Sequence, residues 1–287
     1  MACYTSMQHM QTTIRKSDSA ISIALGVALC ILLSAVILYS APVGVDWGGT
    51  YSRLWQNVRD PYAIKSFLNP PWTLIFLPHA ILDVKIGNAI NLSLNIVLPM
   101  AVIKKLGGDW KSMLLVFTSP VFFDLMRVNN IEWIPMLVFF LPREFGIIAL
   151  LVKPQIFGGM ILIWLKKPEY RALYLAIIAI LFSSSMFVFY RWFLRLNYPV
   201  NAPFDFSAFP LLVPVGLYML WQAWQRNDDI LAGLATPMLV PYIAPYSFVP
   251  YLAVLACKHK REAIVIYLIL WAWVVIETRR IGILEAY

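Results

Sequence analysis

Outside its apolar runs, the chain places side chains capable of chemistry at a few positions. Asp46, Arg53, Arg59, Asp60 and Lys65 share one polar stretch, and Asn129, Asn130 and Glu132 fall in RVNNIEW. Lys153 interrupts an apolar run, and Arg191, Arg195 and Asp205 come later. A carboxylate held within hydrogen-bond reach of a hydroxyl can act as its general base. Neighbouring cations can bind a phosphate, arginine doing so through its planar fork. One carboxylate among several cations therefore suits a reaction in which a hydroxyl attacks and a phosphate leaves.

Each of these residues also has a plainer role open to it. Asp46 can cap a loop helix or pair with Arg53, and Asp60-Pro61 is a common turn initiator. Arg191 and Arg195 can meet lipid headgroups, and Asp124 can be a paired carboxylate. Other chemistries find less support. The three histidines, His9, His79 and His259, share no spacing, and no HExxH, GxSxG, Walker A or GxGxxG sequence occurs. The three cysteines, Cys3, Cys30 and Cys257, are scattered, so neither a metal site nor a disulfide framework is expected.

The elements that position these residues follow from composition. The 287 residues are 61% hydrophobic and only 13% charged, about half the charge of a soluble domain. Seven or more apolar stretches run end to end, which predicts one all-α, polytopic transmembrane helical bundle over residues 1–287. The net charge of +8 comes from basic pairs at the ends of apolar runs. That pattern reads as membrane orientation and not as a nucleic-acid surface. Residues 20–41 span roughly 33 Å at about 1.5 Å per residue, long for a signal peptide and enough for a first crossing. Residues 1–19 are then a cytoplasmic tail and residues 42–69 an extracytoplasmic loop. Lys104, Lys105, Lys111, Lys166, Lys167, Arg171, Arg226 and the Lys258-His259-Lys260-Arg261 cluster are expected inside.

Several stretches are too short to cross alone. Residues 72–82 are expected to form a partial or re-entrant helix before a crossing over 86–103. Residues 113–126 climb outward and 134–141 return. In LPREFGIIALLVKPQIFGGMILIWLKK two short halves flank Lys153-Pro154-Gln155. Pro154 removes a backbone donor and biases Lys153 away from helix, predicting half-helices that meet inside the bundle or a kinked packing helix. A lysine at that depth requires an anionic partner. Crossings follow over 171–193 and 209–224, then a rise from 230, a break at PMLVPYIAPYSFVP and a descent to Cys257. A last crossing over 264–276 leaves Glu277, Arg279 and Arg280 outside, against the positive-inside rule.

VDWGGTY, VRDPYAIKSFLNPPW, TSPVFFDLMRVNN, FGIIALLVKPQIF and PYIAPYSFVPYLAVL occur in that order. Together they resemble the integral-membrane glycosyltransferases of the GT-C superfamily, in particular the polyprenyl-phosphate-mannose-dependent mannosyltransferase-like group. Asp46 takes the place of that group's acidic residue and Tyr51 the aromatic position after it. Asp60-Pro61-Tyr62 matches its DPY element, and Asn69-Pro70-Pro71 stands where it has Tyr-Pro-Pro. Lys153-Pro154 closes the Gly-rich run, whereas the Gly-Gln pair of the group is missing between Arg127 and Glu132.

The resemblance implies inverting transfer of a hexose such as mannose from a polyprenyl-phosphate donor to an extracytoplasmic hydroxyl of a glycan, lipid or protein. Asp46 would be the catalytic base. Tyr51, Arg59, Asp60, Tyr62, Asn130, Lys153, Arg191 and Arg195 would bind substrate, with no metal or other cofactor. The setting would be a bacterial or archaeal cell membrane, with the bilayer as partner. Two alternatives remain open: a non-catalytic scaffold or complex subunit derived from the same fold, and a small transporter around a midplane site shared by Lys153 and Asp124.

Overall fold

The computed structural model describes residues 24–188, 190 and 206–285. Among them every regular element is helical and no strand occurs. Helix α1 (Ala24–Ser40) meets the segment Val45–Arg53 at 82°, and that segment begins with the short α2 (Val45–Gly49). Single 3-10 turns follow at Tyr51–Arg53, Pro61–Ala63, Pro71–Phe76 and Pro78–Ile81, three of them started by a proline whose missing N–H costs nothing there. The expected partial helix over 72–82 is thus two short turns.

Helix α3 (Val84–Lys105) is the central post. Asp83 caps it by accepting from the Lys85 N–H at 2.9 Å, and Lys104 and Lys105 sit at its negative dipole end. It spends a buried face on asparagines: Asn88, Asn91 and Asn95 recur at helical spacing and are all buried.

The expected single climb over 113–126 is instead two helices, α4 (Trp110–Phe117) and α5 (Pro120–Val128). Ser119 accepts from the Phe122 N–H and Pro120 takes the first helical position, so the local Ser-Pro pair starts a new helix. Asn129 then ends α5 in the left-handed region, φ 51°.

After α6 (Trp133–Met136), the Lys153 break divides α7 (Arg143–Val152) from α8 (Gly159–Leu165), as the proline predicts. Then come α9 (Pro168–Val188), α10 (Val213–Arg226), α11 (Asp229–Ala235), α12 (Phe248–Lys258) and α13 (Lys260–Glu285). The chain breaks between α11 and α12 with 3-10 turns at Thr236–Met238 and Pro245–Ser247.

Among the described residues, two helices are long and apolar enough to cross a membrane, Val84–Lys105 and Pro168–Met186, or three if α1 and its bent continuation form one span. The seven or more apolar stretches of the sequence do not each become one long helix among the described residues. Several apolar runs, including 113–126 and 143–165, fold as pieces well short of the ~20 residues a span needs.

Two apolar clusters hold the described residues together. The larger joins α3, α4, α5, α7, α8 and α12 through Ile103, Val116, Leu125, Leu150 and Leu252. The second packs Trp47, Tyr51, Leu54, Tyr62 and Phe67 of the polar stretch against Ile131, Trp133 and Val152. Residues 42–69 are therefore not a loose loop. Their aromatics fold them into a cap on the N-terminal end of α3, burying area at roughly 25 cal/mol per Å². The outer faces of α9 and α13 stay apolar and exposed, as Leu173, Ile180, Leu268 and Ile269 show.

Candidate functional site

The cap is pinned to α3 by polar contacts. The Gly44 N–H donates to Asn88 Oδ1 at 2.9 Å and the Trp47 indole N–H to the Val84 carbonyl at 3.0 Å. Two glycines permit the approach. A Cβ on Gly44 would lie 2.3 Å from that of Asn129, and one on Gly87 would lie 2.6 Å from the Trp47 ring. Trp47 also stacks on His79, their centroids 5.1 Å apart at 6°.

The asparagine face of α3 clasps the turn after α5. Asn91 Nδ2 donates to Asn129 Oδ1 at 2.8 Å and to the Asn130 carbonyl at 3.0 Å, while Asn129 Nδ2 donates back to Asn88 Oδ1 at 2.8 Å. This clasp fixes the left-handed backbone at Asn129 and aims the Asn130 side chain.

Asn130 is the hub of the site. Its Oδ1 accepts from Lys153 Nζ at 2.6 Å, Tyr51 OH at 3.0 Å and the Ile131 N–H at 2.7 Å. Its Nδ2 donates to Asp46 Oδ2 at 2.6 Å and to Tyr246 OH at 3.1 Å. The hydroxyl of Tyr51 also donates to Asn69 Oδ1 at 3.1 Å. Asp46 is partly exposed, and its Oδ1 has no hydrogen bond among the described residues.

Lys153 has the anionic partner its depth requires. Its Nζ lies 2.7 Å from Glu132 Oε1, which also accepts from Ser247 Oγ at 2.9 Å. The Tyr246 ring lies 5.4 Å from the same ammonium. Lys153 is 4% exposed and Glu132 1%, and Glu132 Oε2 has no partner among the described residues. Taking both charges out of water is costly, and the 2.7 Å contact together with the bonds to Asn130 and Ser247 offsets part of that cost.

The residues singled out in the sequence therefore divide. Asp46, Tyr51, Asn130 and Lys153 meet in one network. Lys153, expected to bind substrate, has its ammonium buried and engaged by Glu132 and Asn130. Tyr62, expected to do the same, is 1% exposed, and its hydroxyl donates to the Asn69 carbonyl at 2.9 Å within the cap. Asp60 starts the 3-10 turn at Pro61–Ala63. Arg59 is exposed on the cap. Arg191, Arg195 and Asp205 lie outside the described residues. Asp124 pairs with Arg127 at 2.8 Å and not with Lys153.

Tyr246, Ser247 and Asn69 join the network without having been singled out as site residues, and Glu132 supplies the charge Lys153 needs. A signal existed for Glu132, because a buried lysine demands an anion and RVNNIEW holds one beside Asn130. Tyr246 and Ser247 lie in the PYIAPYSFVPYLAVL segment, but nothing local aims their hydroxyls at Asn130 and Glu132. Comparison with family models, curated proteins and solved structures finds no match to this chain.

Proposed function

We propose that this chain is a multi-pass membrane glycosyltransferase with its N-terminus cytoplasmic, moving a hexose such as mannose from a polyprenyl-phosphate donor to an extracytoplasmic hydroxyl. The observation that carries the reading is Asp46. One oxygen is held at 2.6 Å by Asn130, and the other is uncommitted among the described residues on a partly exposed carboxylate. That is how a general base is prepared: oriented through one oxygen and open through the other.

In the proposed step the acceptor O–H gives its proton to Asp46 Oδ1 while its oxygen attacks the anomeric carbon. The bond from that carbon to the phosphate oxygen breaks, and polyprenyl phosphate leaves with the electron pair, inverting the configuration. Arg59, with Arg191 and Arg195 from the later polar segment, is assigned to the phosphate. Lys153 and Glu132 hold Asn130, and so Asp46, in place.

A non-catalytic scaffold is the second reading, favoured by the engagement of Lys153 within the fold. The Asp124–Arg127 pair removes the juxtaposition a Lys153–Asp124 transport site needs. Membranes containing the chain, supplied with radiolabelled polyprenyl-phosphate mannose and an acceptor-bearing membrane fraction, decide between enzyme and scaffold. Transfer by the native chain and its loss in Asp46→Asn is expected. Equal transfer by the variant would sink Asp46 as base, and no transfer from any lipid-linked hexose would leave the scaffold.

A further inference from the structure

A second feature lies away from the Asp46 network. Helices α10, α11, α12 and α13 enclose a cavity of about 460 Å³ lined by apolar side chains such as Leu212, Met219, Leu234, Phe248, Leu255 and Ile266. That volume falls in the range of small-molecule sites, ~300–1,000 Å³. We propose that it holds one acyl chain of an anionic phospholipid, whose headgroup rests at the cytoplasmic, basic end of the bundle. The proposal rests on the membrane location given above, and not on sugar transfer.

Shape comes first. The lining residues of α12 and its C-cap run from Phe248 to His259, a path of roughly 16 Å at about 1.5 Å per residue, long enough to lie along much of an extended hydrocarbon chain. The hydroxyl of Tyr251, which also lines it, is engaged by the Phe157 N–H at 3.3 Å and by the Gln155 carbonyl. Among the described residues of the lining, only His259 and Glu262 bring titratable groups other than that phenol, and both sit at one end.

Access comes next. The flanking helices turn apolar side chains outward, among them Leu217 and Trp221 on α10 and Leu268 and Ile269 on α13. A lipid of the bilayer would lie directly against that surface.

Charge selects the headgroup. Lys258 and Arg261 are exposed beside His259, while Lys260 is engaged by Asp109 at 3.0 Å. The same end carries Lys104 and Lys105 at the close of α3, because Cys257 Sγ lies 3.6 Å from the Ile103 carbonyl. Glu262 is the one carboxylate among the described residues of the lining, so the rim is net basic, and such clusters draw anionic lipid to a membrane surface.

The test uses the full chain purified in neutral detergent, with native mass spectrometry and thermal unfolding. Dioleoyl phosphatidylglycerol, dioleoyl phosphatidylcholine and inorganic phosphate are the probes. The native chain should retain one phosphatidylglycerol and be stabilised by it more than by phosphatidylcholine, with no response to inorganic phosphate. Ala208→Trp, which fills the cavity, should lower retention at least tenfold, and Met219→Trp serves as a second filler should the first not fold. Lys258→Gln with Arg261→Gln should bring the two lipids to parity. Unchanged retention in a folded filler variant, equal binding of both lipids by the native chain, or the same shift with phosphate alone would each overturn the assignment. A chain recovered in the soluble fraction removes the membrane reading together with the lipid. A membrane-embedded chain that holds no phosphatidylglycerol removes only the lipid.

Discussion

Lys153 and Glu132 meet at 2.7 Å with both side chains almost wholly buried, and Asn130 ties that pair to Asp46 through two further contacts of 2.6 Å each. A charge pair in the interior thus sets the orientation of a carboxylate at the surface of the cap. Ser247 donates to the same Glu132 oxygen from a distant part of the chain.

Breaking this pair from one side leaves a buried charge without its counter-ion. Glu132→Gln, or Lys153→Met alone, should destabilise the fold by about 3–5 kcal/mol, and combining Glu132→Gln with Lys153→Met should recover much of the loss. Unfolding of the single and double variants in the same detergent measures this. Additive losses would show that the two side chains act independently.

Asn130 should behave as a positioning residue. Asn130→Leu removes the donor to Asp46 while leaving the carboxylate present. Transfer should then fall roughly tenfold to a hundredfold through kcat, with KM for the donor little changed. A loss confined to KM would instead place Asn130 on the substrate.

Gly87→Ala tests the seat of the cap. The new methyl would meet the Trp47 ring at 2.6 Å and the His79 carbonyl at 2.9 Å, and backbone cannot yield as a flexible side chain does. A loss of about 1–3 kcal/mol is expected, with a red-shifted tryptophan emission as Trp47 is displaced. Unchanged stability would mean that the cap rides up at no cost.

Acid sensitivity should trace in part to Asp109, in the turn between α3 and α4. The Ser112 backbone N–H, then the Lys260 ammonium and the Ser112 hydroxyl, hold its carboxyl well below the usual carboxylate range. A carboxylate depressed in the folded state stabilises above its unfolded value, about 3.9, and that contribution drains away as pH falls through the folded value. The melting temperature of the native chain should thus drop more steeply below about pH 4 than that of Asp109→Asn. Parallel profiles would assign the acid response elsewhere.

Much of the helix punctuation was legible because proline acts locally. The break at Lys153-Pro154 and the interruption through PYIAPYSFVP each follow from a missing N–H and a fixed φ, whereas the partial helix expected over 72–82 became two 3-10 turns. The Ser-Pro pair at Ser119-Pro120 obeyed the same rule, yet hydropathy averaged over 113–126 concealed it. Composition likewise fixed an all-helical, apolar chain, and residue type singled out Asp46, Asn130 and Lys153.

Tertiary structure decided which of those residues meet, and in what state. Asn130 reaches Asp46 and Tyr246 across separations of 84 and 116 positions, distances no local pattern encodes. Packing supplied Glu132 as the anion that Lys153 requires and placed the Tyr62 hydroxyl on the Asn69 carbonyl inside the cap. Type and spacing along a chain determine what a side chain can do; packing of distant segments determines which groups remain open to do it.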